Sequence, residues 1–484
     1  MRLATLALLL VTPALAGCFD GGAATKAGGT GGPVTLRLAT DDEEVGFPSV
    51  DQSREFARRV DALSNGRLRI EPVMDSVKPQ PDYARLVARL VTSGELDMGL
   101  MPTEYFEQVG VTSLRALDAP FLVTSDALLA QIVGGDVAKE MLSGLERAGV
   151  VGLGLLPVGL EHPAGLNGPL LGPEDYQGGV MFGSRAKTRN AVVRSLGASF
   201  VQGVMPDRAQ HVGGVGAYGL VSGGFVTGNV TLAAWADAIV INARAYERLD
   251  DRQRSILATA ADQTREWAIT SSPSDAQRAR AHCEDDPEAG NSVVLASGAD
   301  IAALQAATAS VYGELERDQL TRRVIARIRE LKQRSGGDPV APTACGEPLA
   351  TLPNAKATTA LDGVYRVEVT EAKLHAEGVT DPGAIAEIPG VYTYTFKGGK
   401  YCEVFKPKTN AAGNRNPDYV PGQCSTYAVD GDRMITYFST EPPAVSRWSL
   451  AKSGDIKFTP ARGNSIRRRI GRVFAADPWK RIGD

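Results

Sequence analysis

A chain of 484 residues, 43% of them hydrophobic, has material for about three compact units at roughly 150 residues each. Its formal net charge of −4 supplies no strongly basic face, so nucleic acid is set aside as a partner. Past the amino terminus no apolar run approaches the roughly 20 residues of a membrane-spanning helix.

In chain order, Arg2 precedes an apolar run from Leu6 to Leu15 that ends in Leu15-Ala16-Gly17-Cys18. The run is too short to span a bilayer, and a cut after small residues would expose a thiol able to carry a thioether-linked lipid. This segment resembles the bacterial lipoprotein signal, which implies a signal peptide over 1–17 and acyl chains on Cys18. At about 0.8 kcal/mol per buried methylene, two or three chains give a durable anchor on the extracytoplasmic face. Residues 18–33 (GGAATKAGGTGGP at their end) have little to bury and read as a flexible tether.

Strand and helix patterns alternate from there. Strands are expected at Val34–Ala39, Leu68–Val73, Leu96–Met101, Val150–Val158, Gly179–Phe182 and Ala236–Asn242. Helices are expected at Ser53–Ser64, Tyr83–Thr92, Ser125–Ala148, Lys187–Leu196 and Ala243–Ser271, with two more over Ile301–Arg334. The alternation predicts α/β architecture with a largely parallel sheet over 34–335. Ser335-Gly-Gly-Asp-Pro339 breaks the pattern and opens a linker over 336–360.

The order of landmarks resembles the extracytoplasmic solute-binding proteins of tripartite ATP-independent periplasmic (TRAP) transporters, the dicarboxylate-binding family. The likeness is carried by Phe56-Ala-Arg-Arg-Val60, Asn65-Gly66-Arg-Leu-Arg-Ile70, Ser93-Gly-Glu-Leu-Asp-Met98, Leu117-Asp-Ala-Pro-Phe-Leu122, Pro173-Glu-Asp-Tyr-Gln-Gly178, Leu196-Gly-Ala198, Met205-Pro206 and Val240-Ile-Asn242. The resemblance implies a two-lobed periplasmic-binding-protein fold of type II that closes on a small organic solute and hands it to a membrane permease. Loops at the carboxyl ends of the strands would supply the polar contacts.

Family members carry an arginine at the end of the strand after the "P-x-D-L-x-G" phrase, suited to a bidentate grip on a carboxylate. Here that position is Phe182, and the upstream loop that often offers a second arginine reads Gly159-Leu-Glu161, which makes Glu161 a loop acid. Three readings follow. Arg185 takes over the cationic role; or Phe182, Tyr218 and Trp235 line a cleft for an aromatic, cationic or apolar solute, with Glu161 as counter-charge; or solute binding is lost. Thr103 is a further candidate contact. The runner-up to a receptor is a non-transport envelope lipoprotein that uses a degenerate lobe and the following domain to recognise a partner.

Residues 361–484 differ in kind. Seven short β-like runs lie at Val364–Thr370, Gly390–Phe396, Tyr401–Phe405, Ser425–Val429, Arg433–Phe438, Ser446–Leu450 and Ile456–Thr459, with glycine turns between several of them. They predict a small antiparallel barrel, and Leu361-Asp-Gly-Val-Tyr-Arg366 with Trp479-Lys-Arg481 resembles a lipocalin-type barrel. The run Arg467-Arg-Arg469 reads as a solvated face or as a contact for anionic lipid heads.

Apart from Cys18 the chain has four cysteines, which allow three pairings; their neighbourhoods favour Cys283–Cys345 and Cys402–Cys424 over a zinc site, since no short knuckle spacing occurs. Gly214-Val-Gly216-Ala-Tyr-Gly219 lacks a preceding strand, and neither a Gly-x-Ser-x-Gly elbow nor a His-Glu-x-x-His helix occurs. No catalysis, metal or cofactor is expected.

Overall fold

A computed structural model describes residues 33–40, 48–73, 76–77, 82–166, 168–182, 186–201, 213–216, 218, 224–284, 291–335, 342–346, 359–380, 384–385, 388–407, 424–437, 444–459 and 466–483. The expected positions Cys18 and Arg185 lie outside them, as does the side chain of Phe182. Among the described residues no helix is long and apolar enough to cross a membrane.

The first body holds strands β1 (Val34–Thr40), β2 (Leu68–Val73), β3 (Met98–Pro102), β4 (Val150–Gly165), β5 (Val180–Phe182), β6 (Ser199–Val201), β7 (Gly213–Gly216), β8 (Phe225–Thr227), β9 (Ala233–Asn242) and β10 (Ser292–Val294). Its helices are α1 (Pro48–Ser64), α2 (Tyr83–Ser93), α3 (Asp126–Gly134), α4 (Asp136–Ser143), α5 (Lys187–Ser195), α6 (Ala243–Glu247), α7 (Asp251–Ser271), α8 (Asp275–Glu284), α9 (Gly298–Leu315) and α10 (Gln319–Arg334).

The sheet order is β2-β1-β3-β9-β4-β7-β5-β6. β1 runs parallel to β2 and β3, and β5 runs parallel to β6 and β7, as the alternation predicts. The sheet is nevertheless mixed, because β9 pairs antiparallel with both β3 and β4, and β7 and β8 pair antiparallel with β4. The reason is the length of β4, which runs seven residues past its expected end at Val158 and pairs with β9 from Val150↔Asn242 to Glu161↔Ala233. These two long strands pass from one lobe to the other, and the β4 register shifts between Pro157 and Gly159. Apolar β-rich stretches of this kind form strands fully covered on both faces.

Packing follows the apolar faces. Leu38, Phe56, Val60, Met98, Ile239 and Leu257 form a buried cluster that seats α1 and α7 on the first lobe. On the other side Val87 and Val91 of α2 press so close to β3 that a Cβ on Gly99 would lie 2.9 Å from Val91 Cγ2.

Two helices expected as continuous are split. The stretch Ser125–Ala148 breaks at Gly134-Gly135 into α3, α4 and a 3-10 turn, because adjacent glycines weaken the helix. The stretch Ala243–Ser271 restarts at Asp250, whose carboxylate caps Gln253 N at 2.7 Å while Gln253 caps back.

The second body is an antiparallel sheet in the order β17-β16-β15-β14-β13-β12-β11-β18. Its strands are β11 (Gly363–Val369), β12 (Gly390–Lys397), β13 (Lys400–Pro407), β14 (Cys424–Asp430), β15 (Arg433–Tyr437), β16 (Ala444–Leu450), β17 (Ile456–Phe458) and β18 (Lys480–Gly483), with α11 (Glu371–Ala376) and α12 (Ile466–Ala475). The eighth strand, β18, was not expected. Ile456 and Trp479 exchange backbone hydrogen bonds of 3.1 and 2.7 Å, which joins the two outer strands and removes the open edges. Among the described residues eleven aromatic side chains fill or line the interior: Tyr365, Tyr392, Tyr394, Phe396, Tyr401, Phe405, Tyr427, Trp448, Phe458, Phe474 and Trp479. The arginine run forms α12 rather than a strand face. Arg472 pairs with Glu377 at 2.6 Å and Arg469 donates to the Gly378 carbonyl at 2.6 Å, so these two are not loose surface cations. Both expected disulfides, Cys283–Cys345 and Cys402–Cys424, are present.

Candidate functional site

The carboxyl ends of β1 and β3 and the start of α5 converge on the crossing strand β4. Two 3-10 turns follow β3, Thr103–Val109 and Arg115–Asp118, and they bring four carboxyl and guanidinium groups against α5. Thr188 N and its hydroxyl donate to the Glu107 carboxylate at 3.2 and 3.0 Å. Arg115 Nε lies 2.7 Å from Glu107 and 2.9 Å from the Thr188 hydroxyl.

One turn further in, Arg189 is the centre of a second set. Its Nε is 2.6 Å from Glu104 and 2.9 Å from Asp118, while its two terminal nitrogens grip Glu161 at 2.9 and 2.7 Å. These side chains keep only 12% (Arg189), 11% (Glu104), 4% (Asp118) and 6% (Glu161) of their surface. Three carboxylates therefore share one guanidinium away from water. Burial pushes the Glu161 carboxyl up, Arg189 opposes this, and the charge of Asp118 adds to it. Glu107 is also raised, first by burial and then by Asp118, against the pull of Arg115. Burial works against the charge on Arg189, but Glu104, Glu161 and Asp118 outweigh it and hold the guanidinium protonated.

A raised carboxyl binds its proton more tightly in the folded state than in the unfolded chain. The contribution of these two groups to folding stability should thus be greatest below the ordinary glutamate range and be lost as pH rises through the folded-state values of Glu161 and Glu107. Denaturant titrations of the wild type and Glu161→Gln across that window check this; the variant should show the shallower decline, and an equal or steeper one would contradict the assignment.

Two further side chains carry buried polar atoms. Thr40 ends β1 and Gln52 sits in the opening turns of α1, the place where a strand-to-helix connection exposes polar groups to a crevice. Thr40 Oγ1 and Gln52 Oε1 are buried and have no hydrogen-bond partner among the described residues, while Gln52 Nε2 donates to the Pro157 carbonyl at 3.0 Å. Buried oxygens of this kind cost free energy unless something donates to them.

The expected residues distribute unevenly. Thr103 is buried directly after β3, beside Glu104. Glu161 is not in a loop as expected: it is a buried strand residue whose carboxylate is spoken for by Arg189, because β4 continues through Gly159. Phe182 ends β5. Tyr218 stands in the second lobe, its ring 5.0 Å from His162 and 5.9 Å from His282, with its hydroxyl 3.4 Å from Asp275. His162 in turn reaches Val230 O at 2.8 Å and Asp275 at 3.0 Å. Trp235 donates to Asp237 two residues along β9 at 3.1 Å. Among the described residues no ring contact joins Tyr218 to Trp235. Nor is there a group of His, Cys, Asp and Glu arranged to hold a metal among the described residues.

Arg189, Thr40 and Gln52 escaped sequence reasoning. Arg189 stands among the alternating polar and apolar residues of an ordinary helix, and its partners lie 28 to 85 positions away, a separation no motif spans.

The model of the family described as bacterial extracellular solute-binding protein, family 7, matches residues 43–203 and 230–318, more than half of the chain. Among solved structures, a TRAP periplasmic solute-binding protein from Ralstonia eutropha H16 with bound (S)-2-acetolactate is 20% identical, covering 62% of this chain and 99% of its own, with a TM-score of 0.51. One from Roseobacter denitrificans with bound β-D-glucuronate is 17% identical, covering 61% and 98%, TM-score 0.51. The sugar acid binding protein of Advenella mimigardefordensis strain DPN7T in complex with galactonate is 14% identical, covering 63% and 99%, TM-score 0.53. At these identities the likeness establishes the fold. No curated protein matches the chain.

Proposed function

The chain belongs to family 7 of the bacterial extracellular solute-binding proteins, and from that membership we propose that it is a lipid-anchored TRAP receptor that captures a small hydroxylated organic acid between its lobes and delivers it to a membrane permease. The family is one of binding proteins, not enzymes, and no reaction is assigned.

The observation that carries the reading is the pair of buried oxygens on Thr40, at the end of β1, and Gln52, in α1, that have no hydrogen-bond partner among the described residues, set within a fold whose relatives hold acetolactate, glucuronate and galactonate. A ligand hydroxyl donating to Gln52 Oε1 removes an unsatisfied acceptor, so binding recovers what the empty protein loses. For the acid group, Arg189 replaces the arginine absent at Phe182. All three of its nitrogens already face carboxylates, so a solute carboxylate would displace one of them, and Glu161 yields most readily because burial already favours its neutral form. Lobe closure and affinity then form one equilibrium, since contacts from both lobes to the solute are made together only when the lobes close. Anchorage rests on the apolar run that ends in Leu15-Ala16-Gly17-Cys18.

Calorimetric titration with galactonate, glucuronate and acetolactate, with galactose as the neutral control, is expected to show saturable binding of at least one acid and a loss of about tenfold in Gln52→Ala, the worth of one hydrogen bond to a buried group. A folded protein that takes up none of the acids refutes the solute class. In cell fractionation Cys18→Ser should move the protein from membrane to soluble fraction; retention refutes the anchor.

A further inference from the structure

The antiparallel barrel carries an interior group that packing alone does not call for. On β13, Val404 is 52% exposed and points outward, so its neighbours Glu403 and Phe405 point inward. They stand opposite Tyr394 and Tyr392 of β12. Tyr392 stacks on Phe405 with ring centroids 4.5 Å apart, and Tyr394 stacks on Trp479 at 4.4 Å.

A carboxyl is thereby placed among ring faces. Glu403 accepts a hydrogen bond from the Tyr394 hydroxyl, and among the described residues no Lys, Arg or His forms an ion pair with it. Burial pushes its carboxyl up. The faces of aromatic rings are electronegative, so they repel a carboxylate and attract a cation. Trp448, facing Phe458 on β17, brings a further ring to the barrel interior. Glu403, Phe405 and Trp448 are only partly buried although all three belong to the inward set, so solvent reaches this part of the interior.

We propose that the barrel binds a small organic cation, a quaternary ammonium or protonated alkylamine, with Glu403 as counter-ion and the rings of Tyr392, Tyr394, Phe405 and Trp448 as its apolar surround. The cation supplies the counter-charge that Glu403 lacks among the described residues and meets aromatic rings that water solvates poorly. This site is separate from the crevice and does not depend on the crevice ligand.

The test uses the full chain and two probes of equal shape, choline and its uncharged isostere 3,3-dimethylbutan-1-ol, titrated at constant ionic strength and followed by tryptophan fluorescence and calorimetry. Choline is expected to bind saturably and at least about tenfold more tightly than the alcohol. Glu403→Gln should abolish that preference, whereas Gln52→Ala in the crevice should leave it intact. Equal affinity for the two probes, no response to either, or an unchanged preference in Glu403→Gln overturns the proposal. The comparison of probes on the wild type needs no variant, so it stands even if Glu403→Gln fails to fold. A choline response lost in Gln52→Ala and kept in Glu403→Gln would place the cation in the crevice and equally refute the barrel site.

Discussion

Replacing Arg189 with methionine is expected to destabilise the two-lobed body by about 3–5 kcal/mol, the range for removing one member of a buried ion cluster and leaving the others uncompensated. Methionine keeps much of the volume but none of the charge, so Glu104, Asp118 and Glu161 would face one another with no cation at 2.6–2.9 Å. A loss of that size is a large share of the 5–15 kcal/mol that ordinarily separates folded from unfolded protein. Equilibrium denaturation should show an earlier transition for this body with the barrel transition unmoved. Adding Glu161→Gln to Arg189→Met should recover part of the loss, because one of the stranded charges is gone and burial already favours its neutral form. A change below about 1 kcal/mol in the single variant would mean that water enters the cluster and that the guanidinium is not its keystone. The same variant tests the function, since a protein that folds at lower temperature and still binds galactonate at wild-type strength would remove Arg189 from the solute site.

Loss of the Cys283–Cys345 bond should rank beside it. The bond spans 62 residues, which in the chain-entropy account corresponds to about 4 kcal/mol, against about 3 kcal/mol for the 22 residues spanned by Cys402–Cys424. The longer bridge ties α8 to the segment around Cys345, which also exchanges backbone hydrogen bonds with Val293 of β10 at 2.9 and 3.0 Å. Double serine variants followed by differential scanning calorimetry separate the two: Cys283→Ser with Cys345→Ser should lower the transition of the two-lobed body, and Cys402→Ser with Cys424→Ser that of the barrel. If both pairs lowered the same transition, the two bodies would not unfold independently.

These expectations draw on features of very different legibility. Regular alternation made β1, β2, α2, α9 and α10 visible, because a run of apolar residues at period two or 3.6 has few other ways to bury itself. The junction was less so. The strand expected over Val150–Val158 stops before Gly159, yet β4 continues to Gly165, since the pairing with β9 on one side and with β7 and β8 on the other outweighs local propensity. With the strand extended, Glu161 turned from a loop acid into the buried partner of Arg189.

By itself the sequence determined the class of each body, the even number of cysteines left for disulfides, the family likeness and the expectation of a lipid on Cys18, because each depends on residues close together or on simple counting. Only the tertiary structure decided which charges meet. Glu104, Asp118, Glu161 and Arg189 come from four separate elements, and likewise Glu403 met Tyr394 through the register of β12 and β13. A charge in a sequence is solvated and nearly silent; taken out of water beside three others, its energy depends on ångström distances that long-range packing alone sets.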